Sequence, residues 1–442
     1  MSEKVKIVTL GCEKNLVDSE IMSGLIDQRG YSLVEDAEEA TVIIVNTCGF
    51  IDAAKEESVN TILDLADMKQ HGNLKALIVS GCLTQRYKEA LIQEMPEIDG
   101  IVGTGDFHRI NEIVDEALQG KKPIRVGNPV FDYERRLPRK RLSQSFTAHV
   151  KIAEGCDNAC TFCSIPLMRG KFRSRTIESI VDEVRSLAEQ GVKEISLIAQ
   201  DSTNYGTDLY DRFMLPALLN RVSEVPGIEW VRLHYAYPGF FTDELIETIA
   251  GNPKICNYVD MPLQHSEDLI LKRMRRPGRQ RDARELIAKI RSAIPDVSIR
   301  TSMIVGFPGE TDEDFARLCD FVREIKFDRL GVFTYSAEED TPAVRLPNHV
   351  PDEIKEWRAN TLMEIQRELA TEINARRVGK EMDVLIERYD GRNDVFVGRS
   401  QYDAPEIDGE VFVTNCKAEI GEIRKVRITH AFEFDLSGEG IG

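Results

Sequence analysis

The stretch Glu154-Gly155-Cys156-Asp157-Asn158-Ala159-Cys160-Thr161-Phe162-Cys163 decides how the rest of the chain is read. Three thiols spaced CxxxCxxC are one short of the four ligands that close a tetrahedral metal site. They can hold three irons of a cubane cluster, because iron–sulfur clusters take cysteine thiolate at each iron. The remaining iron then has no protein ligand, and an open metal position marks a catalytic site rather than a structural one. Two plainer readings stay open at this point. The thiols could form a zinc knuckle with a distant fourth ligand, or they could be buried as small hydrophobes.

Outward from this stretch, residues 147–336 alternate strand and helix about six times. Runs at 150–153, 195–199, 230–234, 258–261, 298–304 and 330–335 read as strands, with helices at 177–189, 243–250, 280–293 and 312–325 between them. Six parallel repeats predict a partial (β/α)6 barrel, open on one side, with its chemistry at the carboxyl ends of the strands. The cysteine stretch follows the first of those strands. Gln200-Asp201 follows the second, Pro262-Leu263-Gln264-His265 the fourth, and Gly306-Phe307-Pro308-Gly309-Glu310-Thr311 the fifth. Asp201, Gln264 and Gly306 are thus candidate cofactor contacts, Gly306 by letting a ligand approach the backbone. His265 is a candidate base or a packing residue, and the glycine turn could equally be an ordinary strand-to-helix connection. On helix 312–325, Phe315, Leu318, Cys319 and Val322 share one face, so Cys319 reads as core, as do the lone Cys256 and Cys416.

Residues 1–131 alternate in the same way, with strands at 5–10, 41–45 and 76–79 and helices at 16–29, 53–68 and 87–95. That predicts a doubly wound α/β domain. Each of these strands runs into a cysteine: Cys12, Cys48 and Cys82. Ligands of open α/β sheets gather beyond the carboxyl ends of the strands, so three distant thiols could converge there on a second cluster. Each alone could also be a buried hydrophobe. Residues 132–145 contain the basic run Arg135-Arg136-Leu137-Pro138-Arg139-Lys140-Arg141, which reads as a solvated hinge or, less simply, as a contact for nucleic acid or an acidic surface.

Residues 146–374 complete the central domain, with 351–377 a long polar helix read as a spacer. After it, short strands at 382–388, 395–399, 410–413 and 423–430 predict a small antiparallel β-barrel over residues 375–442, a type that often binds nucleic acid. That segment carries ten Lys and Arg against fourteen Asp and Glu, whereas a phosphate-binding surface should be basic. The whole chain is at −18, which argues against a general polyanion binder and suits a basic partner. With 442 residues and 42% apolar content, two to four domains with real cores are expected. No window approaches the roughly 18 apolar residues of a membrane span. The expected location is therefore the cytoplasm, where nine cysteines point to metal or catalysis rather than disulfides.

Taken together, the CxxxCxxC barrel, the three cysteines of the N-terminal α/β domain and a C-terminal TRAM barrel resemble the radical S-adenosylmethionine (SAM) methylthiotransferases over nearly the whole chain. Leu10-Gly11-Cys12-Glu13-Lys14-Asn15-Leu16-Val17-Asp18-Ser19-Glu20, Asn46-Thr47-Cys48-Gly49-Phe50-Ile51, Ile165-Pro166-Leu167-Met168-Arg169-Gly170 and Ala404-Pro405-Glu406-Ile407-Asp408-Gly409 resemble the RimO branch, with Glu13 where many members have proline. The resemblance implies two 4Fe-4S clusters, one on Cys156, Cys160 and Cys163 and an auxiliary one on Cys12, Cys48 and Cys82, with no catalytic residue beyond these ligands. It implies two SAM-dependent steps that place a methylthio group on the β-carbon of an aspartate in small-subunit ribosomal protein S twelve. One SAM gives its methyl group to sulfur, and a second is cleaved to a radical that removes hydrogen from that carbon. The implied partners are S twelve or the small ribosomal subunit and an electron donor such as a flavodoxin. A tRNA adenosine methylthiotransferase shares every cluster residue and is the alternative, but it should carry a more basic C-terminal barrel.

Overall fold

The computed structural model describes residues 2–131, 137–276 and 280–441. Its first sheet is entirely parallel: β1 (Lys4–Thr9), β2 (Ser32–Leu33), β3 (Val42–Thr47), β4 (Ala76–Gly81), β5 (Gly100–Val102) and β6 (Ile124–Arg125), in the order β2-β1-β3-β4-β5-β6. Val42-Ile43-Ile44-Val45 is buried throughout because helices pack on both faces of the sheet. The strand order reverses between β1 and β3, and such a reversal opens a crevice at the carboxyl ends of the strands. The cysteines follow β1, β3 and β4 rather than three consecutive strands, since the two-residue β2 intervenes.

The central domain is an arc. β7 (Thr147–Lys151) leads into a short antiparallel ribbon of β8 (Ala153–Glu154) and β9 (Arg173–Ser174). It is followed by β10 (Glu194–Ile198), β11 (Trp230–Leu233), β12 (Tyr258–Asp260), β13 (Ser298–Val305) and β14 (Arg329–Thr334). β7, β10 and β11 pair in parallel, as do β12, β13 and β14. Between the two halves the ladder thins to the bridge of Val231 with Ile255. Six strands thus stand side by side in chain order. Alternation along them sends Val150, Leu197, Val231 and Ile299 into the core under the helices. The alternate residues His149, Lys151, Glu194, Arg232, His234 and Asp260 turn to the concave side, where they are buried and polar.

Two neighbouring domains fill that concave side. Helix Glu13–Gln28 places Val17, Ile21, Met22 and Ile26 in the N-terminal core, with Ile198 of the arc joining them. The same helix also buries Asn15, Asp18 and Glu20, so it is enclosed on more than one side and shows no simple amphipathic stripe. At the opposite end Glu194 takes both Arg232 (2.8 Å) and Arg399 (2.6 Å), and Tyr258 Oη donates to Asp408 (2.7 Å), which seats the C-terminal barrel.

That barrel closes as β15 (Glu381–Asp390), β16 (Val395–Ser400), β17 (Val411–Thr414), β19 (Leu436–Gly440) and β18 (Ile423–Ala431). It has five strands, and β17 pairs with β19 in parallel, so the expected purely antiparallel barrel is corrected in one ladder. Two further expectations are overturned. Helix Asp352–Ala375 is no spacer: Leu362, Ile365 and Leu369 enter the arc's core, and Arg358 pairs with buried Glu310 at 3.1 Å. The hinge reading fails at Arg139: Arg135 and Arg136 lie outside the described residues and Lys140 is exposed, but Arg139 is largely buried between Glu20 of the N-terminal helix and Glu183 of the arc. Cys319 and Cys256 are buried, in keeping with the core reading, and Cys416 packs half-buried against the C-terminal barrel.

Candidate functional site

Backbone contacts bring the three N-terminal cysteines to one edge. A Cβ at Gly11 (φ +87°) would stand 2.8 Å from Cys48 Cβ, and one at Gly49 would stand 3.0 Å from the carbonyl carbon of Cys82. No side chain fits between these segments, so glycine at 11 and 49 lets the cysteine-bearing turns touch. Asn15 ties them together. Its amide nitrogen donates to Leu10 O (2.8 Å) and Thr47 O (3.1 Å), each one or two residues before a cysteine. Its Oδ1 lies 4.0 Å from Cys82 Sγ and accepts from Arg169 Nη2 at 2.6 Å. Burial pushes the Cys48 thiol up to about 12 and raises that of Cys82, and the charges of neighbouring cysteines add to both shifts. The guanidinium of Arg169 pulls the other way on both thiols.

The barrel cysteines occupy a loop that leaves the carboxyl end of β7 and is pinned at several points. Cys156 N donates to Gly170 O (3.1 Å), and Phe172 N to Asp157 Oδ1 (3.1 Å). Thr161 reaches Met274 O through its amide (3.0 Å) and Arg273 O through its hydroxyl (2.9 Å). Arg276 is directed at this triad: Nη1 stands 3.8 Å from Cys160 Sγ, Nη2 donates to Pro262 O at 2.6 Å, and the guanidinium covers the Tyr237 ring at 4.3 Å. Burial lifts Cys156 to about 11 and Cys163 to about 12, and the neighbouring Cys160 adds to both shifts.

Each triad therefore offers three neighbouring soft donors with a guanidinium beside them, the donor set and compensating charge that an iron–sulfur cluster needs. Among the described residues no three Cys, His, Asp or Glu side chains are grouped as ligands of one metal ion. The fit thus rests on the chemistry of neighbouring donors, not on a formed coordination shell. Because burial raises Cys48, Cys82, Cys156 and Cys163, loading a metal there must release their protons.

The two cysteine-bearing turns touch across the domain boundary. Ser164 Oγ, one residue past Cys163, donates to Phe50 O, two residues past Cys48, at 3.3 Å. Around that bond Thr104 Oγ1 donates to Met168 O (2.6 Å), and Arg86 and Lys55 share Glu338 (2.8 and 3.0 Å), beyond the end of β14. Behind it lies a buried ionic group. Arg169 pairs with Asp18 (2.8 Å) and Glu154 (3.2 Å), and Lys151 with the same two carboxylates (2.6 and 2.8 Å). Held by Arg169 and Lys151 against the cost of burial, Glu154 stays well below the usual carboxylate range.

The other sequence candidates are placed less evenly. Asp201 is buried beside the barrel triad, accepts from Asn158 Nδ2 (2.8 Å) and Thr203 Oγ1 (2.7 Å), and has its carboxyl raised by burial. Gln264 has a left-handed backbone (φ +74°) and bridges to β13 through Ser302 O (2.8 Å). At Gly306 the missing side chain leaves room for Lys355, whose Cγ would stand 2.3 Å from a Cβ there, so the glycine serves the packing of helix Asp352–Ala375. His265 faces Glu310 (3.8 Å) and accepts from Glu267 N (3.0 Å), and burial drives it down to about 3. That is the geometry of a packing residue rather than a base aimed at the cysteines. Sequence reasoning did not single out Asn15, Arg169, Arg276 or Tyr235. Their partners lie far along the chain, and the only hint was polar residues where helix Glu13–Gln28 should bury an apolar face.

Three family patterns match the chain: the radical SAM superfamily over residues 150–322, the uncharacterized protein family UPF0004 over residues 4–103, and the TRAM domain over residues 378–441. Curated relatives cover it almost end to end. It is 51% identical to the ribosomal protein uS12 methylthiotransferase RimO of Desulforamulus reducens over 98% of this chain and 99% of that one. The protein of the same name from Clostridioides difficile is 50% identical over 99% and 98%. Among solved structures, the radical SAM methyltransferase TsrM from Kitasatospora setae, with tryptophan substrate and a SAM analogue bound, superposes with a TM-score of 0.58. The match is 15% identical and covers 83% of this chain and 89% of that one. The cobalamin-dependent SAM radical enzyme OxsB reaches 0.51 at 10% identity, over 83% and 56%. At such identities these two likenesses speak to fold alone.

Proposed function

The chain belongs to the ribosomal protein uS12 methylthiotransferases named RimO, and from that premise we propose that it places a methylthio group on the β-carbon of an aspartate of uS12. In this reading Cys156, Cys160 and Cys163 hold one 4Fe-4S cluster, and Cys12, Cys48 and Cys82 hold a second. When bound, the clusters and SAM supply the one-electron and sulfur chemistry that an unactivated C–H bond requires and no side chain offers. The protein's share is placement. The Ser164–Phe50 hydrogen bond, which joins the two cysteine turns across the domain boundary, is the observation that carries the proposal. Asn15 and Arg169 fix the N-terminal turns against the barrel, so that one substrate carbon can face both centres in a site closed to water.

Asp201 and Gln264 are the side chains proposed to meet SAM over the barrel triad. Gly306 contributes through its backbone, since the face where a Cβ would stand is taken by Lys355. Residues 1–131, 146–374 and 375–442 act as the auxiliary-cluster, radical and TRAM domains, joined by 132–145. The partners are uS12, free or in the small subunit, and an electron donor such as a flavodoxin. No helix among the described residues is long and apolar enough to cross a membrane, and the proposed setting is the cytoplasm.

The test is anaerobic incubation of reconstituted protein with SAM, reductant and sulfide, together with uS12 and tRNA, read by mass spectrometry. A methylthio group in place of hydrogen on a uS12 aspartate, with tRNA unchanged, is the expected result. A modified tRNA and an unchanged uS12 would overturn it. In the same assay the protein with Cys12, Cys48 and Cys82 all changed to alanine should form deoxyadenosine but no methylthio product.

A further inference from the structure

Lys14 lies two residues beyond Cys12 and is only 7% exposed, yet among the described residues it makes no ion pair and no hydrogen bond. The other cations buried between these domains are all matched. Lys151 and Arg169 share Asp18 and Glu154, and Arg139 has Glu20 and Glu183. A buried ammonium in contact with no carboxylate is unfavourable, so a site that keeps one is suited to receive an anion. What holds Lys14 is an aromatic seat: its Nζ stands 3.8 Å from the centroid of the Tyr235 ring. A cation–π contact offsets only part of the cost of burial. The neighbouring carboxylate, Glu13, feels this charge but is engaged by Tyr235 Oη at 2.9 Å and stays beyond ion-pair distance of the ammonium. His149 Nδ1 and His234 Nε2, whose rings also act on Glu13, are buried without partners.

The seat itself is rigid. Tyr235 follows β11 with a left-handed backbone (φ +60°), a conformation costly for an aromatic residue. Ser202 N donates to its carbonyl (3.0 Å), and its own amide donates to Asp260 Oδ2 (3.1 Å). Lys14 is therefore pinned between the N-terminal triad, two residues away, and the mouth of the barrel.

We infer that Lys14, seated on Tyr235, binds a carboxylate, that of the target aspartate, and so sets the enzyme's preference for an acidic side chain. The inference rests on the uS12 reading above. SAM also carries a carboxylate, so the experiment must separate the two sources.

Lys14→Met keeps the length of the side chain and removes the charge. Equilibrium binding of uS12, and of uS12 with its target aspartate changed to asparagine, would be measured on reconstituted wild-type and K14M enzyme, alongside SAM affinity and iron content. A charged hydrogen bond of this kind corresponds to roughly a tenfold to hundredfold preference. Wild type should show it for the aspartate form. K14M should bind both forms alike, with SAM affinity unchanged. A K14M enzyme that still prefers aspartate overturns the inference. So does one that loses SAM affinity with its preference intact, which would give the lysine to SAM. Should K14M lose iron, zero-length carbodiimide coupling of wild type to uS12 decides: the target aspartate should link to Lys14, and linkage only to other lysines refutes the assignment. Wild type that neither binds nor modifies uS12 would instead bring down the substrate reading itself.

Discussion

Asn15 uses both hydrogens of its amide on the turns ahead of Cys12 and Cys48, and its oxygen on the cation beside Cys82. One short side chain thus gathers three segments of chain, and no periodicity in the sequence announces it. Candidate thiols are legible because cysteine is rare and strand ends are recognisable. The groups that orient them are not, because their partners sit some 150 positions away, as Arg169 does from Asn15. His265 is the converse case, a residue whose type suggests chemistry and whose surroundings favour the packing alternative. Its ring is wholly buried, and burial lowers it from 6.5 to about 3. The unfolded chain therefore takes up a proton near pH 6.5 that the folded chain refuses until far lower pH. The stability due to this residue is full above pH 6.5 and is lost as pH falls toward 3. Between pH 7 and pH 5 the loss should be about 2 kcal/mol. His265→Gln, which keeps an acceptor for Glu267 N, should flatten the fall in urea-unfolding midpoint over that interval without moving deoxyadenosine formation. An unchanged pH slope, or lost SAM cleavage, would contradict the packing role.

At the scale of elements, three departures from expectation share one cause: polarity read along the chain says nothing about what a segment packs against. Helix Asp352–Ala375 looks like a spacer because its buried stripe is narrow and includes Lys355 and Arg358. β19 is Leu-Ser-Gly-Glu-Gly, too rich in glycine to read as a strand, yet it closes the last barrel by pairing with β17 and β18. The basic run looks solvated, yet Arg139 bridges two domains, and Glu20 takes three more hydrogen bonds from Leu142 N, Ser143 N and Ser143 Oγ (3.0, 3.2 and 2.9 Å). Removing Arg139 leaves Glu20 charged and sealed, which typically costs about 3–5 kcal/mol. Arg139→Met should therefore loosen the N-terminal domain from the arc, seen as faster proteolytic cleavage within 137–145 and an earlier first melting step. Adding Glu20→Gln removes the stranded charge and should restore much of the resistance. A double variant no better than the single one would show that Arg139 acts by packing rather than by charge.

At the scale of the whole molecule, the formal charge of −18 and the acidic C-terminal barrel set the terms of encounter. The structure narrows where that charge can act. Asp408 is not available to a partner, since it accepts from Tyr258 Oη (2.7 Å) and Ala404 N (2.9 Å) and lies 3.6 Å from Arg300. Glu406, two residues earlier, is exposed. A tRNA would meet this surface as one anion meets another, with little counterion release to favour binding. Ribosomal proteins are basic, and a like array of negative charge would steer one in. Exposed charges interact through a screening length of about 10 Å at 0.1 M salt, so the effect belongs to the rate of association. Association with uS12 should slow as salt rises while dissociation changes little. Glu406→Gln should make that slope shallower. Asp408→Asn should leave the slope alone and lower the melting temperature, because it breaks the seat of the barrel on the arc. Association of uS12 that ignores salt, or a slope that responds to Asp408 and not to Glu406, would mean that the partner docks on a different face and that the charge of this barrel serves only solubility.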